Sequence, residues 1–176
     1  MDLTDPNPRR IVGVPNPEQV TGGLVCLGPV GAPAFDPATF ARDYLGRFPL
    51  PVPGASIPPG KMIVAFPATV VTRAPTTFEV TAATPFGPLT ISARAQIFVD
   101  WGDGERTGPY DAPGEAYPEG EIVHRYAEAG SFDVAVVYRW SASWRWGAQG
   151  GDIPGTLDSV DRVSGFPVRA YQARTG

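Results

Sequence analysis

Asp100, Asp103 and Glu105 place three carboxylates around one glycine-rich bend, Asp100-Trp101-Gly102-Asp103-Gly104-Glu105. Carboxylates gathered on a loop are calcium chemistry, because that ion takes about six to eight hard oxygen ligands. The run lacks the alternating acidic positions and distal glutamate of a calcium loop, so a structural turn is the leading reading and calcium the weaker one. Gly102 and Gly104 allow positive φ on either side of Asp103, whose carboxylate can then accept backbone N–H bonds within the bend.

His124 is the only histidine and Cys26 the only cysteine. A general base needs a nucleophile beside it. There is no Gly-x-Ser-x-Gly elbow, and Cys26 lies far upstream of His124. The imidazole is therefore expected to be structural, satisfied by the Gly-Asp-Gly bend. A single cysteine excludes an internal disulfide and a cysteine-rich zinc site. Asp111, Glu115, Glu119 and Glu121 crowd the stretch before His124, but Ala112-Pro113-Gly114 reads as a solvated loop. A glycosidase would need two carboxyls facing each other across a cleft. The residues predict no enzyme.

Tyr138, Trp140, Trp144 and Trp146 share one parity along a strand pattern. They are either core, where aromatics bury large areas, or a platform for sugar rings or a partner's side chains. Tyr138 and Trp140 are expected inside. Trp144 and Trp146, near the strand's far end, could equally meet a ligand.

These residues need elements to hold them. At 176 residues the chain is one large domain, or a domain with an arm, and long enough to bury a core without metals or disulfides. The net charge is −4 with both signs interspersed, so no basic stripe awaits nucleic acid. The longest apolar runs, Met62 to Phe66 among them, are too short for a bilayer. Met1 to Pro6 shows no basic-then-apolar leader, so export would rely on a leader outside these residues.

Twelve of the 21 prolines lie within residues 1–60, which read as an extended arm ahead of a domain spanning 61–176. One helix is expected in the arm, near 37–47. Asp36 can cap it, Pro37 suits its first position, and Phe40, Ala41, Tyr44, Leu45 and Phe48 form one stripe. Gly46 and Pro49 should stop it, and Phe48 to Pro53 should run as polyproline II or along a sheet edge.

From Lys61 the period changes to two. Met62–Phe66 and Thr76–Thr81 are short strand candidates. Leu89 to Trp101 alternates cleanly, as does Phe132 to Trp146, whose length predicts a bulge near Ser141–Ser143 or an overhang. A last strand is expected over Phe166–Ala173, after a glycine-rich loop Gly147–Gly155. The pattern is all-β, an antiparallel sandwich.

The bend Asp100-Trp101-Gly102-Asp103-Gly104, followed by His124-x-Tyr126-x-x-x-Gly130-x-Phe132, resembles the PKD (polycystic kidney disease) domain. That resemblance implies an Ig-like β-sandwich in which Trp101 and Phe132 take the motif's aromatic positions. A weaker likeness, from Tyr44 to Ala173, is to a group of actinobacterial exported proteins of unknown function. It rests on Phe48-Pro49-Leu50-Pro51, Gly114 to Tyr117, Trp140 with Trp144, and Val168 to Ala173.

The resemblance implies a secreted or cell-surface, non-enzymatic module that presents loops and an aromatic strand end to a protein partner. Two alternatives stand beside it. One is a carbohydrate-binding module using Trp144 and Trp146. The other is a structural subunit of a surface appendage or virion, whose arm reaches a neighbouring copy. No cofactor is implied beyond the weak calcium set.

Overall fold

The computed structural model describes residues 35–171. Most of the expected arm, Cys26, and the last two positions of the expected final strand, Gln172 and Ala173, lie outside these residues. The elements are α1 (Pro37–Arg47), β1 (Met62–Ile63), β2 (Ala68–Thr69), β3 (Thr77–Thr84), β4 (Gly87–Asp100), β5 (Arg106–Tyr110), β6 (Val123–His124), β7 (Gly130–Trp146) and β8 (Gln149–Arg169).

The helix forms where capping chemistry allows it. Asp36 Oδ1 accepts from the Ala38 amide at 3.0 Å, and Pro37 occupies the first turn, where its missing N–H costs nothing. Pro37, Ala41 and Leu45 are buried, and the helix packs on β8, β4 and β7. It thus belongs to the same compact unit as the sheets, a unit that starts at Asp36, ahead of the Lys61 boundary expected from proline density.

One large sheet runs in the order β1-β8-β7-β4-β3, and β5 pairs with β4 beyond the start of β3. A second, two-stranded sheet joins β2 to β6. The fold is all-β with one helix among the described residues. It is not purely antiparallel, because β1 lies parallel to β8, with Met62 opposite Val168.

Alternation decides the core. Leu89, Ile91, Ala93, Ala95, Ile97 and Val99 of β4 share a face with Val134, Val136, Tyr138 and Trp140 of β7, all buried. In that register small Ala95 lies opposite Trp140, and Val99 lies opposite Val136. From the other side Ile57, Ala68, Val70, Ile122 and Tyr126 close the core, contributed by the small sheet and the segments around it.

Two expectations change. Met62–Phe66 is not one strand: the chain turns at Ala65, with φ of 68°, whose amide donates to Tyr126 O, leaving Phe66 exposed. Gly147–Gly155 is mostly strand rather than loop. β8 already begins at Gln149, and the Trp144 indole lies over Gly151, within 3.5 Å of where a Cβ would sit. The irregularity expected near Ser141–Ser143 is present: β7 stays continuous, but its register with β8 shifts between Trp140 and Ala142, where β8 takes up the extra residues.

Candidate functional site

The bend between β4 and β5 is built from its glycines outward. Gly102 has φ of 79° and Gly104 of 97°. At Gly102 a Cβ would also sit 2.7 Å from Asp133 O, so a glycine is required twice over. Asp100 Oδ1 accepts from the Gly102 amide at 3.1 Å, and its other oxygen pairs with Arg106 Nε at 2.8 Å. Asp103 Oδ1 accepts from the Glu105 amide at 3.1 Å, which leaves Oδ2 aimed inward.

There it meets His124. The imidazole Nε2 lies 2.7 Å from Asp103 Oδ2, and Nδ1 faces Glu105 Oε2 at 3.6 Å. The His124 ring stacks on Trp101 at 4.8 Å and meets the edge of Tyr126 at 4.6 Å. Tyr126 Oη donates to Trp101 O at 3.1 Å, and its ring stacks on Phe132 at 4.4 Å. Phe132 in turn lies over Gly130, where a Cβ would come within 3.1 Å of the ring. Trp101, Asp103, His124, Tyr126, Gly130 and Phe132 are thus one contiguous assembly.

Its electrostatics follow from burial. Partial burial works against the Asp103 charge, but the bonds from His124 and the Glu105 amide outweigh it and hold the carboxyl below its ordinary value. Burial, helped by the Asp103 charge, pushes the Tyr126 phenol well up. Burial also raises Tyr138, whose hydroxyl donates to Ala74 O at 3.1 Å.

The carboxylate trio Asp100, Asp103 and Glu105 does not gather as a calcium set. Asp100 is taken by Arg106 and the Gly102 amide. The ligand atoms that come together belong to Asp103, Glu105 and His124, within 4.8 Å of one another. The two carboxylates face different ring nitrogens, Asp103 at hydrogen-bond distance and Glu105 beyond it.

The aromatics divide as their depth dictates. Tyr138 and Trp140 are buried and unavailable to any ligand, which corrects their place among possible contacts. Both lie on the core face of β7, and Trp140 donates its Nε1–H to Ser159 Oγ at 3.0 Å. Trp144 and Trp146 are half-buried at the opposite end of the sheet from the aspartate bend. Trp146 Nε1 donates to Phe86 O at 3.2 Å, joining the β7–β8 hairpin to the β3–β4 hairpin.

Two features escaped the sequence reading. Phe86, at the tip of the β3–β4 hairpin, is 60% exposed. The flanking Thr84-Pro85 turn signal was available to mark it. The second is a polar row across four strands, in which Glu79, Ser92, Ser143 and Asp152 sit in register. With Trp144 and Arg145 they line an open cleft of about 570 Å³. Strands spaced by about 4.8 Å put the backbones of Glu79 and Asp152 three strands apart, and Glu79 Oε2 accepts from Ser92 Oγ at 3.0 Å.

Asp111, Glu115, Glu119 and Glu121 are all exposed, on the segment that runs from β5 to β6. That segment is tied down by its backbone, with Gly114 N–H donating to Thr72 Oγ1 and its carbonyl accepting from the Thr72 amide. The chain matches no family model, no curated protein and no solved structure.

Proposed function

We propose that this chain is a PKD-like recognition module acting outside the cell or at its surface, without catalysis, through the distal end of its large sheet. The supporting observation is the aromatic tip: exposed Phe86 beside half-buried Trp144 and Trp146, carried on two hairpins bonded to each other. An exposed aromatic held rigidly costs little conformational entropy on binding, which suits a contact residue. The PKD-like reading draws support from the His124 assembly, whose imidazole is occupied by Asp103 and so serves the architecture.

The test is saturable binding of labelled protein to intact cells of the source organism. Unlabelled wild type should compete fully, and a Phe86→Ala/Trp144→Ala variant at least tenfold less well. Equal competition by the two would overturn the tip as the contact.

A second reading, carbohydrate binding, is favoured by one observation. Trp144 is half-buried near the end of β7, its indole lying over the bare backbone of Gly151. Quenching of tryptophan fluorescence by soluble polysaccharides should then occur and disappear in Trp144→Ala; flat titrations across a glycan panel would remove this reading.

A further inference from the structure

β3 is the outer strand of the large sheet, and its far edge is open among the described residues. The phase of its hydrogen bonds is fixed by Ala95 N–H, which donates to Thr76 O at 2.8 Å. In an antiparallel pair alternate residues bond across, so Phe78, Val80, Ala82 and Thr84 aim their backbone groups at β4. Thr77, Glu79, Thr81 and Ala83 aim theirs outward, and all four are exposed.

Natural edges are blunted by lysine, proline, a bulge or a covering segment. The opposite side of the sheet follows that rule. β1 covers β8 at Val168 and Arg169, while Ser159 and Asp161 of β8 are held by Pro51 O and the Ala55 amide. β3 is less guarded. Its Thr77–Thr84 run pairs with β4 without a register shift, contains neither lysine nor proline, and carries a single charge, Glu79.

We propose that this edge pairs with the same edge of a second copy, antiparallel across a two-fold axis, to make one continuous sheet. The side chains select both the occupant and the register. Outward backbone groups can meet only odd positions with odd positions. Centring on Val80 sets Thr77 against Ala83 and Glu79 against Thr81, each twice by symmetry.

On the core-side face Val80 then meets its own copy, and half-buried Phe78 meets small Ala82. Sliding one way sets Glu79 against Glu79, a like-charge clash. Sliding the other sets Thr77 against Pro85, which has no N–H to give. One register satisfies charge, volume and hydrogen bonding together, as an isologous contact requires.

The proposal is tested on the full chain by sedimentation equilibrium from about 1 μM to 1 mM, the range in which a small strand-pairing interface should show mass action. Wild type should sediment as a monomer–dimer system. Thr81→Glu puts two carboxylate pairs face to face and should weaken dimerisation roughly tenfold or more. Adding Glu79→Lys to that variant makes each pair opposite in charge and should restore the dimer.

Circular dichroism checks that each variant folds. Should Thr81→Glu not fold, amide exchange in wild type decides, since protection at Thr77, Glu79, Thr81 and Ala83 must rise with protein concentration. A concentration-independent monomer, an unweakened Thr81→Glu dimer, no rescue by the charge swap, or concentration-independent exchange at those amides would each overturn the proposal.

Discussion

His124 lies between carboxylates, with Asp103 Oδ2 at Nε2, Glu105 facing Nδ1, and the Trp101 indole flat against the ring. Removing the imidazole leaves the Asp103 oxygen without its partner and opens a void against Trp101 and Tyr126. His124→Ala should cost about 2–4 kcal/mol, read from urea unfolding midpoints at constant slope.

The carboxyl side of the contact has its own signature. Asp103 titrates below its ordinary value of 3.8 in the folded chain, so the stability it adds is present above that pH and lost as pH falls through the lower folded value. The stability gap between wild type and Asp103→Asn should shrink as pH falls below about 4, measured by melting across pH 2.5–5.

The two glycines of the bend separate strain from crowding. Both have positive φ, but a Cβ would strike Asp133 O only at Gly102, while nothing lies within 4 Å at Gly104. Gly104→Ala should cost about 1–2 kcal/mol and Gly102→Ala clearly more, in parallel denaturation curves.

Between elements, one ladder of rings ties the helix to the sheet. Phe40, Tyr44 and Phe48 stack along α1, Phe48 stacks on Phe78 of β3 at 5.2 Å, and Phe78 meets the edge of Trp140 of β7. Phe48→Ala cuts this ladder where it passes from helix to strand. It should cost about 2–3 kcal/mol and raise amide exchange in α1 more than in β7.

The stripe Phe40-Ala41-Tyr44-Leu45-Phe48 made α1 legible, since capping and a 3.6 period are local properties. The strands β4 and β7 were legible for the same reason, with a period of two over long runs. What periodicity could not carry was the partner of each strand. Met62 and Ile63 look like the start of a longer strand until β8, far along the chain, sets how much of them pairs. The glycines from 147 to 155 read as a loop until Trp144 is seen lying over Gly151. At the site, the approach of His124 to the Asp103 bend was legible through the paired motif of Asp100–Gly104 and His124–Phe132, not from residue types alone. The release of Asp100 to Arg106 was not, because it depends on which oxygen the turn leaves free.

Across the whole molecule the ionisable groups bound stability on two sides. The acid limb comes from Asp103. The alkaline limb comes from Tyr126 and Tyr138, whose burial raises them above the ordinary 10.0. Their contribution is full below pH 10 and lost as pH rises toward the raised folded values. Tyrosinate absorbance should therefore show a late step that coincides with loss of the β-sheet circular dichroism signal, whereas Tyr126→Phe, which cannot ionise there, should move that step to higher pH.

The placement of β8 has a consequence for synthesis. Ala55 bonds to Asp161 across 106 residues, Ser159 reaches Pro51 across 108, and Met62 pairs with Val168. On the ribosome, everything from α1 to β1 is translated long before the strand that shelters it. Its apolar side chains wait in solution until Phe166 and Val168 clear the exit tunnel. The proline-dense stretch after α1 is well suited to that interval, since a chain short of amide donors gives a stray strand little to zip onto while it waits.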